Sequence, residues 1–542
     1  MWLIDTSTLK LEIFINPEIA SYAILSHTWS ADEVSFQDFH DLQCASSKRG
    51  FNKIRQTCEI ARHRGLRYAW VDTCCIDKSS SAELSEAINS MFAWYKHAAF
   101  CLVYLDDLAD NVDFDHGFAS CKWGTRGWTL QELIAPRHVE FYDQNWTKRT
   151  TKLNSRAVLT AASGISEDVL EDSALLARLP VARRMSWISR RQTTRLEDMA
   201  YCMLGIFDIH MPMIYGEGEK SFVRLQEEIA NQSSDLSLFA WKAPLPEQCN
   251  GSHNFRGILA RSPKEFADCH QMKFRNVVNS YKDFTITNRG LRMEAQLIRL
   301  FDASPDDLVL NLGVSFQDSN DWSKQSGDGW IGIYVRKTAN GYLRMWSHEL
   351  YVSGKHNRVR CPRTVLYIRK DISHYDIALL QKQYDRAIQL DLHGLPAGAT
   401  IVQTHPVELW DPQKGLFLDP GAGLNIYCEI EVSLPESPRP FRLLVACSTM
   451  EVPTCVIWTD QDHGLNDVQN FLSQAKDITD YAAVDYLVRD LIPTKKCYLK
   501  ESIVVISTEY QAKCWVTLLP AMIEGSDGFC FRIFSQLRYR RG

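Results

Sequence analysis

The chain has 542 residues, 45% hydrophobic and 23% charged, which is ordinary globular composition and too long for one core, so two to four domains are expected. Its 60 basic and 66 acidic side chains leave a net charge of −6, which disfavours a general nucleic-acid binder. No stretch approaches the ~18 consecutive apolar residues of a membrane-spanning helix, and the start, MWLIDTSTLK, lacks the basic and apolar regions of a secretory signal.

Strand and helix patterns alternate over residues 1–150. YAILS (22–26) is a short apolar run of strand type. In 51–65, Phe51, Ile54, Cys58 and Ala61 share one helical face, and Gly65 can end the helix. YAWVD (68–72) reads as the next strand. Ser80 to Glu83 form a capping-box pattern, followed by a stripe of Leu84, Ile88, Met91 or Phe92, and Tyr95. FCLVYL (100–105) is a third strand, a third helix follows Trp123, and HVEFY (138–142) is a fourth strand. This order predicts a parallel sheet with helices on its faces.

Residues 151–240 read as a helical extension, with a capping box at Thr194–Glu197, a stop at Gly205, and a helix from about 217 to 230 burying Phe222, Leu225 and Ile229. The stretch 242–256, rich in Pro, Asn and Gly, reads as a linker. Residues 241–542 then read as a β-rich domain, an antiparallel sandwich or barrel. Its strands are expected within 283–298, 307–316, 330–352, 364–368, 425–434, 442–447, 502–507 and 514–519, with a hairpin turn at Asn340-Gly341. A helical insertion is expected near 465–491.

The 16 cysteines include no C-x-x-C pair, so the spacing is not that of a zinc site and no metal is expected. They read as reduced thiols of a cytoplasmic protein.

In open α/β sheets, ligands bind beyond the carboxyl ends of the strands. Those ends are chemically loaded here. The first strand runs into Ser26-His27-Thr28-Trp29, the second into Asp72 to Lys78, and the third ends at Asp106-Asp107; the third helix carries Arg126 to Glu132. YAILSHTWS, YAWVDTCCIDK and TRGWTLQELIAP resemble, in order, the three signature blocks of the fungal heterokaryon-incompatibility (HET) domain. Residues 191–229 resemble the segment that often follows in such proteins, so the resemblance covers roughly residues 20–230.

That resemblance implies a protein of self/non-self recognition, akin to innate immunity, that triggers programmed cell death. The HET domain is in turn similar to the Toll/interleukin-receptor (TIR) domain, a flavodoxin-like fold. GWTLQEL is similar to a TIR block whose Glu is the catalytic residue of an NAD hydrolase. Carried over, that residue is Glu132, with Thr129 where plant-type TIR domains have Cys. The resemblance implies that NAD is a substrate rather than a bound cofactor. Ser26, His27, Trp29, Asp72, Asp77, Arg126 and Trp128 are then candidates for holding it.

The chemistry is sensible. Nicotinamide leaves as a neutral group, and a carboxylate near the ribose stabilises the oxocarbenium-like transition state. An aromatic such as Trp29 or Trp128 can stack on a ring of the nucleotide. Each residue also has a structural alternative. Glu132 can be an ion-pair partner, the tryptophans core aromatics, Asp72 and Asp77 turn caps, and His27 a satisfied histidine. The functional alternatives are therefore an NAD-consuming enzyme, or a non-catalytic module acting by self-association. In the second, the C-terminal half would sense a ligand or protein partner. Neither nucleic acid nor membrane is expected as partner.

Two further signals stand out. Gly216 to Ser221 (GEGEKS) lacks the glycine and spacing of a phosphate-binding P-loop. The run Arg183, Arg184, Arg190, Arg191 and Arg195 can hold a pyrophosphate or RNA, or be a solvated face paired with Glu197 and Asp198.

Overall fold

A computed structural model describes residues 1–15, 20–244, 255–275, 283–300, 308–316, 329–338, 341–353, 358–372, 387–407, 409–419, 425–433, 440–448, 454–459, 501–505, 510–523 and 526–539. The described chain divides into two compact units, one of residues 1–334 with 345–365, the other of 335–344 with 366–542.

The first unit is built on a seven-stranded sheet. Its strands are β1 (Trp2–Asp5), β2 (Leu11–Ile13), β3 (Tyr22–His27), β4 (Tyr68–Trp70), β5 (Phe100–Tyr104), β6 (Val139–Tyr142) and β7 (Lys148–Thr151), in the order β2-β1-β4-β3-β5-β6-β7. β3 is buried at all six positions, which is why it opens on the apolar run Tyr22–Leu25 rather than an alternation, and its polar end, Ser26 and His27, is buried too. It pairs in parallel with β4 on one side and β5 on the other, and β5 pairs in parallel with β6.

The expected all-parallel sheet is therefore a mixed one. β1 pairs antiparallel with β2 and β4, and β7 antiparallel with β6. The start of the chain gives β1 and β2, joined by a turn in which Asp5 Oδ1 accepts the N–H groups of Ser7 (3.0 Å) and Thr8 (2.9 Å). β2 (LEI) and β7 (KRTT) are partly exposed edge strands without the buried apolar run that marks β4 and β6. The second expected strand is also shorter, because a turn begins at Val71, whose carbonyl accepts Cys75 N–H at 2.9 Å. Asp72 thus stands in a turn just past the strand.

Helix α1 (Phe51–His63) joins β3 to β4 and buries Ile54, Cys58 and Ala61, together with Lys53 and Thr57. Gly65 takes φ +76° after its end, a left-handed conformation that glycine adopts without strain. Helix α2 (Ser81–His97) joins β4 to β5 and buries Ala87, Ile88, Met91, Trp94 and Tyr95. Its Ser80 cap accepts Glu83 N–H at 3.3 Å, but the Glu83 carboxylate turns to Asp77 N–H at 2.9 Å instead of completing a reciprocal box. Helix α3 (Thr129–Ile134) is buried at all six positions.

Short helices fill residues 156–207, and a longer one, Lys220–Gln232, buries Phe222, Leu225 and Ile229. Gly205 is not the expected stop: it lies inside helix Leu204–Phe207, which Asp208 ends at φ +57°. Close packing explains the glycine, since a Cβ there would stand 2.1 Å from Cβ of Phe92 on α2. Nor does Glu197 cap its own helix; it accepts the N–H groups of Gly216 (2.8 Å) and Gly218 (3.0 Å). Packing continues past residue 240. Trp241 Nε1 donates to Ile258 O at 2.9 Å, and Gln226 Nε2 to Ala260 O at 2.8 Å.

The rest of the described chain is strand-rich. In the first unit, Phe284–Thr287 and Gly290–Leu300 form an antiparallel hairpin, and Leu308–Asn311 pairs with the end of the latter. In the second unit, Val335–Thr338 pairs antiparallel with Gly341–Arg344, so a hairpin forms where one is expected, but Gly341 opens its second strand opposite Thr338, and residues 339–340 lie outside the described residues. A four-stranded antiparallel sheet (Thr400–His405, Asn425–Val432, Phe441–Ser448, Thr454–Thr459) and a six-stranded sheet that includes the long hairpin Tyr510–Ile523 and Ser526–Tyr539 contribute to one buried cluster. The second sheet contains one parallel pair, Ile388–Gly394 with Ser526–Tyr539. The expected helix near 465–491 lies outside the described residues.

Candidate functional site

From β3 the chain crosses to β4 on one side, then returns over β3 to β5 on the other. This reversal opens a place for side chains beyond the carboxyl end of β3. Ser26 and His27 are consecutive in an extended strand, so their side chains diverge.

Ser26 faces α3. Its hydroxyl donates to Glu132 Oε2 and accepts Trp123 Nε1–H at 2.8 Å. The Glu132 carboxyl is almost wholly buried, at 5% exposure. That burial pushes it up to about 8; nearby Asp72 adds to the rise, while Ser26, Tyr95 and Arg191 pull it back. The Tyr95 hydroxyl donates its own hydrogen to Leu25 O at 2.9 Å, leaving its oxygen able to accept. Buried Arg191 donates through Nη1 to Arg126 O (2.8 Å) and Thr129 Oγ1 (2.9 Å), so it holds the segment that enters α3. Burial brings its guanidinium down to about 10.

His27 faces α1 and the turn after β4. Its Nε2 lies 3.0 Å from Asp72 Oδ1 and its Nδ1 lies 3.1 Å from Lys53 Nζ. Lysine ammonium can only donate, so Nδ1 accepts and Nε2 carries the hydrogen given to Asp72. Lys53 also donates to Thr28 O at 3.0 Å and to Glu33 Oε1 at 2.5 Å. Asp72 Oδ2 accepts Trp29 Nε1–H at 2.7 Å. Burial acts to raise the Asp72 carboxyl, but His27, Lys78 and Trp29 outweigh it and hold it below the usual carboxylate value. Trp29 is 50% exposed, and Lys78 Nζ stands 3.8 Å from its ring centroid. Trp29 thus presents an aromatic face to solvent beside the Asp72 carboxylate, whereas Glu132 is buried against Ser26.

Of the expected site residues, Ser26, His27, Asp72, Trp29 and Glu132 thus gather at one end of the sheet. Asp77 is engaged elsewhere: its Oδ1 accepts Ser79 N–H (3.0 Å), the Ser79 hydroxyl (2.6 Å) and Gln37 Nε2–H (2.7 Å) in the turn before α2. Arg126 reaches Thr194 Oγ1 at 3.4 Å, and the half-buried Trp128 hydrogen-bonds Asp198. Cys74 and Cys75 are both buried, and burial pushes the Cys74 thiol well up, away from a nucleophilic thiolate.

Sequence reasoning missed Lys53, Glu33, Tyr95 and Trp123 as parts of this network. Lys53 sits one position from the apolar face of α1, where periodicity reads a lysine as solvated. Trp123 and Tyr95 read as core aromatics, and only their polar tips enter the site.

The family model "Heterokaryon incompatibility protein (HET)" matches residues 22–116. The chain carries a HET domain. A second model, a domain of unknown function (DUF8212), matches residues 220–322. The vegetative incompatibility protein HET-E-1 of Podospora anserina is 49% identical over 230 residues, covering 41% of this chain. The chain covers only 17% of that relative's length. No solved structure matches. Within the HET domain, the matched residues include Ser26, His27, Trp29, Asp72 and Asp77, while Arg126, Trp128 and Glu132 follow the matched span.

Proposed function

We propose that this protein acts in heterokaryon incompatibility, and that its HET domain does so by cleaving NAD between nicotinamide and ribose. The observation that carries the reading is the contact of Glu132 with Ser26. It brings an acid to the carboxyl end of β3, across the strand from the His27–Asp72 pair whose charge reaches it, where the strand order reverses. The four parallel strands run in the order second, first, third, fourth, the order of doubly wound sheets, which supports the likeness to TIR domains.

In this reading the C1′–N bond of NAD breaks and its electron pair leaves on nicotinamide. Water forms the new C1′–O bond and gives up a proton to solvent. Glu132 serves by its charge. A cationic nicotinamide ring arriving beside it favours the ionised form, offsetting the burial that holds the carboxyl near 8. Asp72, held by His27 and Trp29, adds negative charge at the rim, and Trp29 offers a stacking face. The chain would work in the reducing cytoplasm, in keeping with the free thiols of its described cysteines.

A second reading rests on the burial of Glu132. A carboxyl 5% exposed and held by Ser26 suits a structural acid, and the domain would then signal by self-association, with the strand-rich part as sensor of a ligand or protein partner. Expression in a fungal host separates the two. The enzymatic reading expects cellular NAD to fall before viability does, and Glu132→Gln to abolish both effects. Killing with NAD undiminished supports the scaffold.

A further inference from the structure

Three of the five arginines in the 183–195 run line one cavity in the first unit. The cavity has a volume of about 540 Å3, and Arg183, Arg190 and Arg191 stand in its wall, which contains no Asp or Glu. The expected pairing with Glu197 and Asp198 does not engage these three: Glu197 accepts from Gly216 and Gly218, and Asp198 from Tyr215.

Behind the wall lie several buried polar atoms. Thr160 Oγ1, Ser166 Oγ, Arg183 Nε and Trp187 Nε1 are buried atoms of lining residues, and none has a partner among the described residues. Trp187 is only 3% exposed. Buried polar atoms are nearly always paired, and each left unmet costs about 1–3 kcal/mol. These four atoms have no surface open to the cavity, so the case for a ligand rests on the arginines that line it.

The chemistry of that ligand follows from the donors. The guanidinium groups of lining arginines can only donate. Burial lowers the Arg183 guanidinium, and Asp168, the acid acting on it, is not in the wall. Three guanidinium groups without a lining carboxylate call for an anion with several acceptor oxygens, and phosphate matches the fork of arginine. The volume falls in the range of small-molecule sites and exceeds the needs of a lone phosphate.

We propose that this cavity binds a phosphate-bearing small molecule of nucleotide size, with its phosphates against Arg183 and Arg190. The cavity does not include Glu132, so the inference stands apart from the NAD-cleavage reading. The two places are joined through Arg191, which lines the cavity and holds Thr129 at the start of α3.

Isothermal titration calorimetry on the full chain tests this with ADP, inorganic pyrophosphate and adenosine. ADP and pyrophosphate should bind saturably at one site, and adenosine should not. Arg190 is exposed, so Arg190→Gln leaves the fold intact; it and Arg183→Gln should each weaken ADP about tenfold, the loss of one charge-assisted hydrogen bond. Tighter binding of ADP than of pyrophosphate means that the nucleoside is read too, and equal binding means that the phosphates suffice. Failure of both to bind, adenosine binding as well as ADP, or affinity unchanged in both variants would overturn the proposal.

Discussion

Glu132 is held in the folded protein near 8 against an ordinary value of 4.5, and the shift has a consequence for stability. Between these two pH values the folded state keeps a proton that the unfolded chain has released. Stability therefore falls as pH rises, by about 1.4 kcal/mol per pH unit, and the whole window is worth roughly 5 kcal/mol. The contribution is complete below pH 4.5 and gone above about 8. Glu132→Gln removes the ionisation. Its amide oxygen can still accept from Ser26, and its NH2 can donate to the Tyr95 oxygen, whose hydrogen goes to Leu25 O. The variant should match the parent at acid pH and exceed it progressively to pH 8. At about 2 °C per kcal/mol, the difference in melting temperature should reach roughly 10 °C. Scanning fluorimetry of both proteins across pH 4.5–9 reads this directly. Parallel pH profiles would refute the buried, proton-holding Glu132.

Asp72 should show the opposite sign. Its folded carboxyl lies below the usual value, so its contribution is present above pH 4 and lost as pH falls below that. Asp72→Asn should cost about 1–3 kcal/mol at neutral pH and less near pH 2, by urea denaturation at each pH; a penalty independent of pH would contradict the pairing with His27. Gly205→Ala should destabilise the first unit by about 1–3 kcal/mol, because its Cβ collides with Phe92, and a melting temperature unchanged from the parent would show that α2 does not pack there. Thiol titration under denaturing, non-reducing conditions should find all 16 cysteines free; several missing thiols would contradict a reducing compartment.

The strands and helices around the site were legible because burial imposes patterns. β3 opens on four apolar residues since both of its faces are covered, and α1 and α2 show their apolar stripes. What stayed hidden has short-range or packing causes. β2 and β7 are partly exposed edge strands with no apolar run, and Gly205 looks like a helix stop until its neighbour Phe92 is seen. The site was half legible. Residues at strand ends can be picked from chain order, but Lys53, Tyr95 and Trp123 enter through polar tips on side chains whose positions otherwise read as surface or core. The arginine run was visible in sequence, whereas the cavity that three of its members line exists only in three dimensions.

The central claim is that Glu132 acts by its charge on NAD, and release of free nicotinamide tests it most directly. Purified full-length chain and Glu132→Gln are incubated with NAD at pH 7.5, and nicotinamide is quantified by chromatography, with circular dichroism to establish that the variant is folded. The account predicts nicotinamide and ADP-ribose in equal amounts from the parent chain. From the variant it predicts a rate lower by about a hundredfold or more, the usual scale for losing one electrostatic stabiliser of a transition state. Equal rates from parent and folded variant would contradict the role of Glu132, and no nicotinamide from the parent while the same protein still kills its host would contradict the enzyme.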